Sequence, residues 1–148
     1  MHATLAKFGY GPGTVFEDEH WAVVVRAAQP TLGAVVLIAK REVEAFGDLT
    51  PDEGAALPAM AARIALAQAG VSQPQRVNYL MLMMVDRHVH FHVIPRYEQA
   101  RAWRGRSFPD AGWPGVPELG AAVTLDADGV AQMVRDLRDA LNGTTLGG

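Results

Sequence analysis

Three histidines alternate with apolar residues at positions 88–94, which read His-Val-His-Phe-His-Val-Ile. Successive side chains of a β-strand point to opposite faces, so one face receives the histidines and the other receives Val89, Phe91 and Val93. A helix would place positions 88 and 90 on different sides, and the β-branched and aromatic residues also favour a strand. The pattern therefore predicts a strand with one chemical face and one packing face.

Other apolar runs predict the neighbours of this strand. Residues 14–16 and 21–25, separated by a short polar turn, predict a hairpin. Residues 34–39 are nearly all apolar, which is typical of a central strand buried on both faces. Residues 75–85 lead through the polar pair Asp86-Arg87 into the histidine strand. This arrangement predicts a tight antiparallel hairpin.

Capping signals predict one long helix. Thr50, Pro51 and Glu53 supply an N-cap, a first-turn proline and the partner that completes a capping box. We expect this helix to run to about Gln68 and to end at Gly70.

A second helix is predicted near the C-terminus, with Asp126 or Asp128 as its cap and Asn142-Gly143 as its stop. Residues 144–148 are expected to be frayed. The apolar positions with helical spacing are Val130, Met133, Val134, Leu137 and Leu141.

The segment that follows the histidine strand is rich in Arg, Trp, Gly and Pro, which predicts an ordered loop or a flexible lid. Arginines with a tryptophan among them would suit a phosphate-binding lid. Arginine runs are more often solvated surface charge, and we favour that interpretation here. The arginines in question are Arg96, Arg101, Arg104 and Arg106, and the tryptophan is Trp103.

Composition narrows the classes of protein. At 148 residues and 49% hydrophobic, the chain is long enough for one domain with a substantial core. A net charge of -3 argues against a general nucleic-acid or membrane-surface binder. The chain has no cysteine, so thiolate metal sites are excluded. With no signal peptide and no stretch of about 20 apolar residues apparent, we expect a cytoplasmic protein.

Alternate histidines on a strand stand roughly 6 to 7 Å apart, which permits two chemistries. The imidazoles can converge on a divalent metal such as zinc. Alternatively, one imidazole acts as a nucleophile while its neighbours orient it or bind phosphate oxygens. A set of exposed surface histidines is the less favoured interpretation. The isolated residues His2 and His20 are interpreted as solvated surface.

The residues His88, His90 and His92, with apolar residues between them, match the His-x-His-x-His motif of the histidine triad superfamily of nucleotide hydrolases and transferases. The resemblance covers roughly residues 8–97 and extends to Trp113-Pro114-Gly115, which is similar to a segment of the phosphoramidase branch. Four further segments resemble the fragile-histidine-triad and dinucleoside-polyphosphate branches: Phe8-Gly9, 15–17, 33–38 and 46–53.

This resemblance implies an α+β fold with a mainly antiparallel sheet of about five strands, one main helix and a C-terminal helix, and usually a homodimer. We expect a single domain over residues 1–148, with its core at 8–97 and a lid and helix at 98–143. By position, His90 would attack the α-phosphorus of a nucleoside phosphoramidate or dinucleoside polyphosphate and form a nucleotidyl-histidine intermediate. His88 and His92 would orient it and hold the phosphate. No cofactor is obligatory, and Mg²⁺ could accompany a polyphosphate.

The chain departs from the family pattern at three places. A further histidine common in the family is replaced by Ala34, or by Glu42 in an alternative alignment. Arg26 occupies the position of the residue that accepts hydrogen bonds from the ribose hydroxyls; a guanidinium cannot accept them and could instead bind an extra phosphate. A phosphate-binding segment before the triad is absent, and Arg87 either substitutes for it or belongs to a polar turn.

Two alternatives to an enzyme follow from the same residues. The missing contacts would suit a catalytically weakened nucleotide-binding module. A zinc-binding protein that uses the three histidines as ligands is less favoured, because no cysteine and no carboxylate accompanies them on the strand.

Overall fold

The computed structural model describes residues 1–143, so the expected fraying of residues 144–148 lies outside the described residues. The fold is α+β, as expected. The strands in the described part of the chain are β1 (Thr14–Glu17), β2 (Trp21–Val25), β3 (Ala28–Gln29), β4 (Val35–Ala39), β5 (Arg76–Leu80), β6 (His90–Arg96), β7 (Arg101–Trp103), β8 (Arg106–Phe108) and β9 (Val123–Thr124).

Five of these strands form the main antiparallel sheet, in the order β1-β2-β4-β6-β5. The hairpin of β1 and β2 confirms the prediction for residues 14–25. The apolar strand β4 lies at the centre of the sheet, where both of its faces are buried. Its register against β6 places Val36 opposite His92 and Ile38 opposite His90. The histidine strand is therefore held by a central strand that is buried along its whole length.

The strand before the histidines pairs with β6 as predicted. The prediction of a tight hairpin at Asp86-Arg87 is wrong. β5 ends at Leu80, and residues 81–89 form a longer connection. Tight hairpins favour residues that adopt positive φ, and in this loop Met83 carries the positive φ of 56°. Asp86 instead turns to the N-terminal segment, where it pairs with Lys7 at 2.8 Å.

The helices are α1 (Ala3–Lys7), α2 (Pro51–Ser72) and α3 (Ala127–Leu141), with a short 3₁₀ helix at Phe46–Asp48. The capping box is confirmed: the backbone N–H of Thr50 donates to Glu53 Oε1 at 2.7 Å, and the N–H of Glu53 donates to Thr50 Oγ1 at 3.1 Å. Asp126 caps α3 through the N–H of Gly129 at 2.8 Å.

The main core lies between the sheet and the two long helices. The three histidines lie on the opposite face of the sheet, where α1 and a smaller apolar cluster pack. By length and composition alone α2 could cross a membrane, a test that helices of soluble proteins also pass. Among the buried side chains of the main core are Trp21, Leu37, Met60, Ile64, Val93, Met133 and Leu137.

The long helix does not end at Gly70, which corrects the sequence prediction. Gly70 lies inside α2, and its missing side chain is what allows α3 to approach. A Cβ atom at Gly70 would overlap with the Cβ of Ala140. Gly70 is therefore a packing residue of the helix pair, and the chain leaves the helix only at Gln73, whose φ of 45° is left-handed.

We expect Gly70→Ala to lower the free energy of unfolding by about 1 to 3 kcal/mol, because overpacking against Ala140 outweighs the better helix propensity of alanine. Gly54→Ala is the matched control, since a Cβ at Gly54 in the same helix meets nothing within 4 Å. That variant should be neutral or more stable by up to about 1 kcal/mol. Urea denaturation measures both, and a Gly70→Ala variant as stable as wild type would contradict this account.

Candidate active site

The three histidines line one buried face at the beginning of β6. His90 and His92 belong to the strand, and His88 lies two residues before His90. Their exposed fractions are 7% for His88, 2% for His90 and 6% for His92. The rings of His90 and His92 meet edge to face with centroids 5.1 Å apart. The structure thus brings together all three residues that the sequence pattern selected.

A hydrogen bond within the triad orients the middle histidine. Nδ1 of His90 lies 2.7 Å from the carbonyl oxygen of His88, so it must donate a proton to that oxygen. In neutral imidazole the other ring nitrogen then carries a lone pair. Nε2 of His90 is therefore the atom of this ring that is equipped to attack an electrophile.

The N-terminal segment covers the triad, which corrects the interpretation of His2 as a solvated residue. His2 is buried, its Nε2–H donates to the carbonyl oxygen of Ala39 at 2.7 Å, and its Nδ1 accepts from the N–H of Leu5. Its ring stacks on His88 with centroids 3.9 Å apart. His20, the other histidine predicted to be solvated, is partly buried beside Glu19.

Two more N-terminal side chains contact the histidines. Thr4 Oγ1 lies 2.9 Å from Nδ1 of His88, within hydrogen-bond distance. The ring of Phe8 lies 5.7 Å from the rings of both His90 and His92. Sequence reasoning missed these contacts because they join residues more than 80 positions apart, and the isolated His2 was the one available signal.

Arg26 and His92 each carry a buried polar atom without a partner in residues 1–143. Arg26 follows β2, and its Nη1 donates to the carbonyl oxygen of Ala28. Its buried Nε has no hydrogen-bond partner in residues 1–143, and neither has Nδ1 of His92. Burial lowers the pKa of Arg26. Burial, and then the positive charge of Arg26, lowers the pKa of His92 to about 4. His92 is therefore neutral at pH 7.

Two cavities flank these side chains. One of about 180 Å³ is lined by residues 82–86 together with His90 and His92. The other, of about 250 Å³, is mostly apolar and lies between the N-terminal segment, the end of β2 and α3; its lining includes Phe8, Val25 and Ala27. In residues 1–143 no group of three or more His, Asp or Glu side chains is placed to hold a metal ion.

The family model described as HIT domain matches residues 12–99, well over half of the chain. This chain is a member of the HIT-domain family. The matched residues include the triad and Arg26, whereas His2 and Thr4 lie outside them. A comparison with curated proteins finds no match.

Solved structures of HIT proteins share the fold of this chain. A histidine triad protein from Sinorhizobium meliloti is 18% identical, with a TM-score of 0.72 and 95% of each chain covered. A hypothetical histidine triad nucleotide-binding protein from Sulfolobus tokodaii is 18% identical, with a TM-score of 0.66, 95% of this chain and 90% of that chain. A zinc-bound histidine triad family protein from Mycobacterium smegmatis is 21% identical, with a TM-score of 0.60, 95% of this chain and 92% of that chain.

Two predicted arginine sites of this HIT protein contact groups other than the histidines. Arg87 is 75% exposed, and its nearest charged partner is Glu44 at 3.6 Å. Arg96, which was interpreted as surface charge, is buried and forms a 2.7 Å ion pair with Asp110. It also donates to Asn78 at 2.7 Å. A buried arginine needs such partners, so Arg96 ties the segment after β6 to the sheet.

Two of the remaining three arginines anchor the same segment, whereas Arg106 is exposed. Arg101 donates to the carbonyl oxygens of Ser72 and Gln73 at the end of α2. Arg104 pairs with Asp136 of α3, which also accepts from Trp103 Nε1 at 2.9 Å. This segment is an ordered hairpin, β7 and β8, held against both helices.

We expect His92 to stay neutral well below pH 6.5 in the folded HIT protein, since its pKa is about 4. The unfolded chain, with an ordinary histidine pKa near 6.5, takes up the proton first. Stability should therefore fall as the pH drops from about 6.5 to about 4. NMR titration of the ring measures the pKa, and His92→Gln should weaken the pH dependence of urea denaturation. A His92 ring that titrates near 6.5 would contradict this.

Proposed function

We propose that this HIT protein is a nucleotide phosphohydrolase or nucleotidyl transferase in which His90 is the nucleophile. The observation that carries the proposal is the hydrogen bond from Nδ1 of His90 to the carbonyl oxygen of His88, because it leaves Nε2 unprotonated. The buried ring of His88 supplies a polar atom for the phosphate oxygens, and the ring of His92 packs edge to face against His90.

The reaction proceeds in two displacements at the α-phosphorus. The lone pair of His90 Nε2 forms a P–N bond, the bond to the leaving group breaks, and the leaving group takes up a proton. Water then attacks the nucleotidyl-histidine, its oxygen bonds to phosphorus and the P–N bond breaks. The leaving group takes its proton from solvent, the proton that water releases returns to solvent, and Nε2 of His90 recovers its lone pair. Transfer to another acceptor in place of water gives a nucleotidyl transferase.

A nucleotide fits the two cavities beside the triad and the N-terminal segment. The cavity beside His90 suits the phosphate, and the apolar cavity beside Phe8 suits a base. The Sulfolobus relative, a hypothetical histidine triad nucleotide-binding protein, supports the same ligand class. We propose nucleoside phosphoramidates or dinucleoside polyphosphates as substrates, with Mg²⁺ accompanying a polyphosphate, and a cytoplasmic location. Zinc is a weaker candidate, favoured by the zinc-bound Mycobacterium relative.

Intact mass spectrometry tests the nucleophile. After brief incubation with adenosine phosphoramidate or a diadenosine polyphosphate, we expect wild type to release AMP or to carry an AMP adduct. His90→Ala should lose the adduct and at least about 10³-fold of the turnover, since the covalent route is removed. His20→Ala, which removes a histidine from outside the site, is the matched control. Nucleotide binding without turnover in wild type would instead select the binding-module alternative.

We also propose that the protein is a homodimer. The face of the sheet opposite the histidines carries an apolar cavity of about 360 Å³, lined in part by Phe46, Pro58 and Tyr79. Both aromatic side chains are exposed, at 56% and 41%. The neighbouring strand β5 is an edge of the sheet in the described residues, so its outer backbone groups are available for pairing. A second copy would cover both features.

Light scattering coupled to size exclusion should give twice the 15.9 kDa mass of the chain for wild type. Tyr79→Glu places a charge on the apolar face and should shift the protein to monomer. Val116→Glu is the control, because Val116 is 84% exposed and does not line this cavity. A monomeric wild type would refute the dimer.

A further inference from the structure

We propose that Arg26 and His92 bind a second anionic group of the nucleotide, a phosphate on its ribose 2′ or 3′ oxygen. The inference rests on the proposed function, and it names the class of nucleotide that the site selects. Four observations carry it: the unpaired charge of Arg26, the unpaired nitrogen of His92, the place of Arg26 in the chain between two residues that line the apolar cavity, and its distance along the sheet from His90.

The charge of Arg26 has no counterpart in the protein. No salt bridge in residues 1–143 involves Arg26, although it is partly buried. Arg96, the other arginine buried at the sheet, pairs with Asp110. A guanidinium removed from water without an anion is costly, because its desolvation is not compensated. A ligand anion would supply the missing charge.

The two unpaired nitrogens can share one ligand group. Nδ1 of His92 belongs to a side chain only 6% exposed, and Nε of Arg26 is buried as well. Leaving buried polar atoms without partners costs free energy, so such pairs of atoms mark places where a ligand completes the hydrogen bonding. Phosphate oxygens accept hydrogen bonds from both Nε–H of arginine and Nδ1–H of a neutral histidine. Water would satisfy the hydrogen bonds but not the charge.

The position of Arg26 corresponds to the sugar of the bound nucleotide. Its chain neighbours Val25 and Ala27 line the cavity proposed for the base, and His92, on which its charge acts, lines the cavity beside His90. The sugar joins base and phosphate, so it must pass between these cavities. A guanidinium has donors only, and therefore selects an acceptor group on the sugar that carries negative charge.

The same position separates this anion from the phosphate under attack. The backbone N–H of Arg26 donates to Ala34, and β4 places Val35 opposite Val93 of β6. Ala34 therefore lies opposite the residue after Val93. That residue is four positions beyond His90, or roughly 13 Å from it along the strand. The positive charge of Arg26 nevertheless acts on His92, whose pKa it lowers. The anion held there is distinct from the phosphate that contacts Nε2 of His90.

Calorimetry on the inactive His90→Asn variant tests the inference with AMP, adenosine 3′,5′-bisphosphate, adenosine 2′,5′-bisphosphate and ADP. We expect one of the two bisphosphates to bind at least about tenfold more tightly than AMP, as a charge-assisted hydrogen bond would give. ADP carries its extra phosphate on the 5′ side and controls for ligand charge, so it should not show this gain. The two bisphosphates distinguish the 2′ from the 3′ position.

Substitutions of Arg26 in the same background locate the effect. Arg26→Gln should abolish the preference for the bisphosphate, and Arg26→Asn, which restores an acceptor for hydroxyls, should shift it toward AMP. Arg76→Gln removes an equal charge from an exposed position of β5 and should leave the preference unchanged. If the neutral variants fail to fold, Arg26→Lys provides the test. It keeps the charge and should retain part of the preference.

The outcomes separate the two proposals. Equal affinity for AMP and both bisphosphates would overturn the sugar-phosphate inference while leaving the proposed function intact. A gain that persists in Arg26→Gln, or that ADP reproduces, would overturn it as well. Absence of binding for all four nucleotides would overturn the proposed function itself.

Discussion

The pairing of β6 with β4 is the constraint on which the site depends. It sets His90 opposite Ile38 and His92 opposite Val36, so the imidazoles stand over an apolar layer at the centre of the sheet. Because side chains alternate with a period of two residues, a slip of one residue would turn all three histidines into the core. The buried strand β4 makes such a slip costly, because the side chains on both of its faces are buried.

Burial gives the histidines different environments within a few ångströms. His90 has a carbonyl partner for Nδ1, whereas the same atom of His92 has none in residues 1–143. His88 is covered by a ring from the N-terminal segment. Identical residue types on one strand therefore acquire different capacities: one ring has a prepared lone pair, and another remains neutral and open to an anion. Chemistry of this kind depends on the neighbours of each ring rather than on the triad alone.

Two positions at which the sequence departs from the family pattern lie close together. The backbone N–H of Arg26, which follows β2, donates to the carbonyl oxygen of Ala34 at 3.2 Å. Ala34 adds no polar side chain there, and Arg26 brings a positive charge that no salt bridge in residues 1–143 balances. Under the proposed function, an acceptor exchanged for a donor would suit a different ligand, or weaker catalysis on the usual one.

Local patterns in the sequence determined much of this protein. The period of two at residues 88–94, the apolar run of β4 and the capping box at Thr50 depend on neighbours in the chain, and each could be predicted from them. Gly70 shows the limit of prediction from local patterns. A glycine near a helix end suggests that the helix terminates, but this glycine allows close contact with Ala140. The burial of His2 against His88 and of Arg96 against Asp110 was also decided only by tertiary structure. These pairs join segments that are distant in the sequence. The charge or polarity of one residue does not indicate which distant residue it will contact.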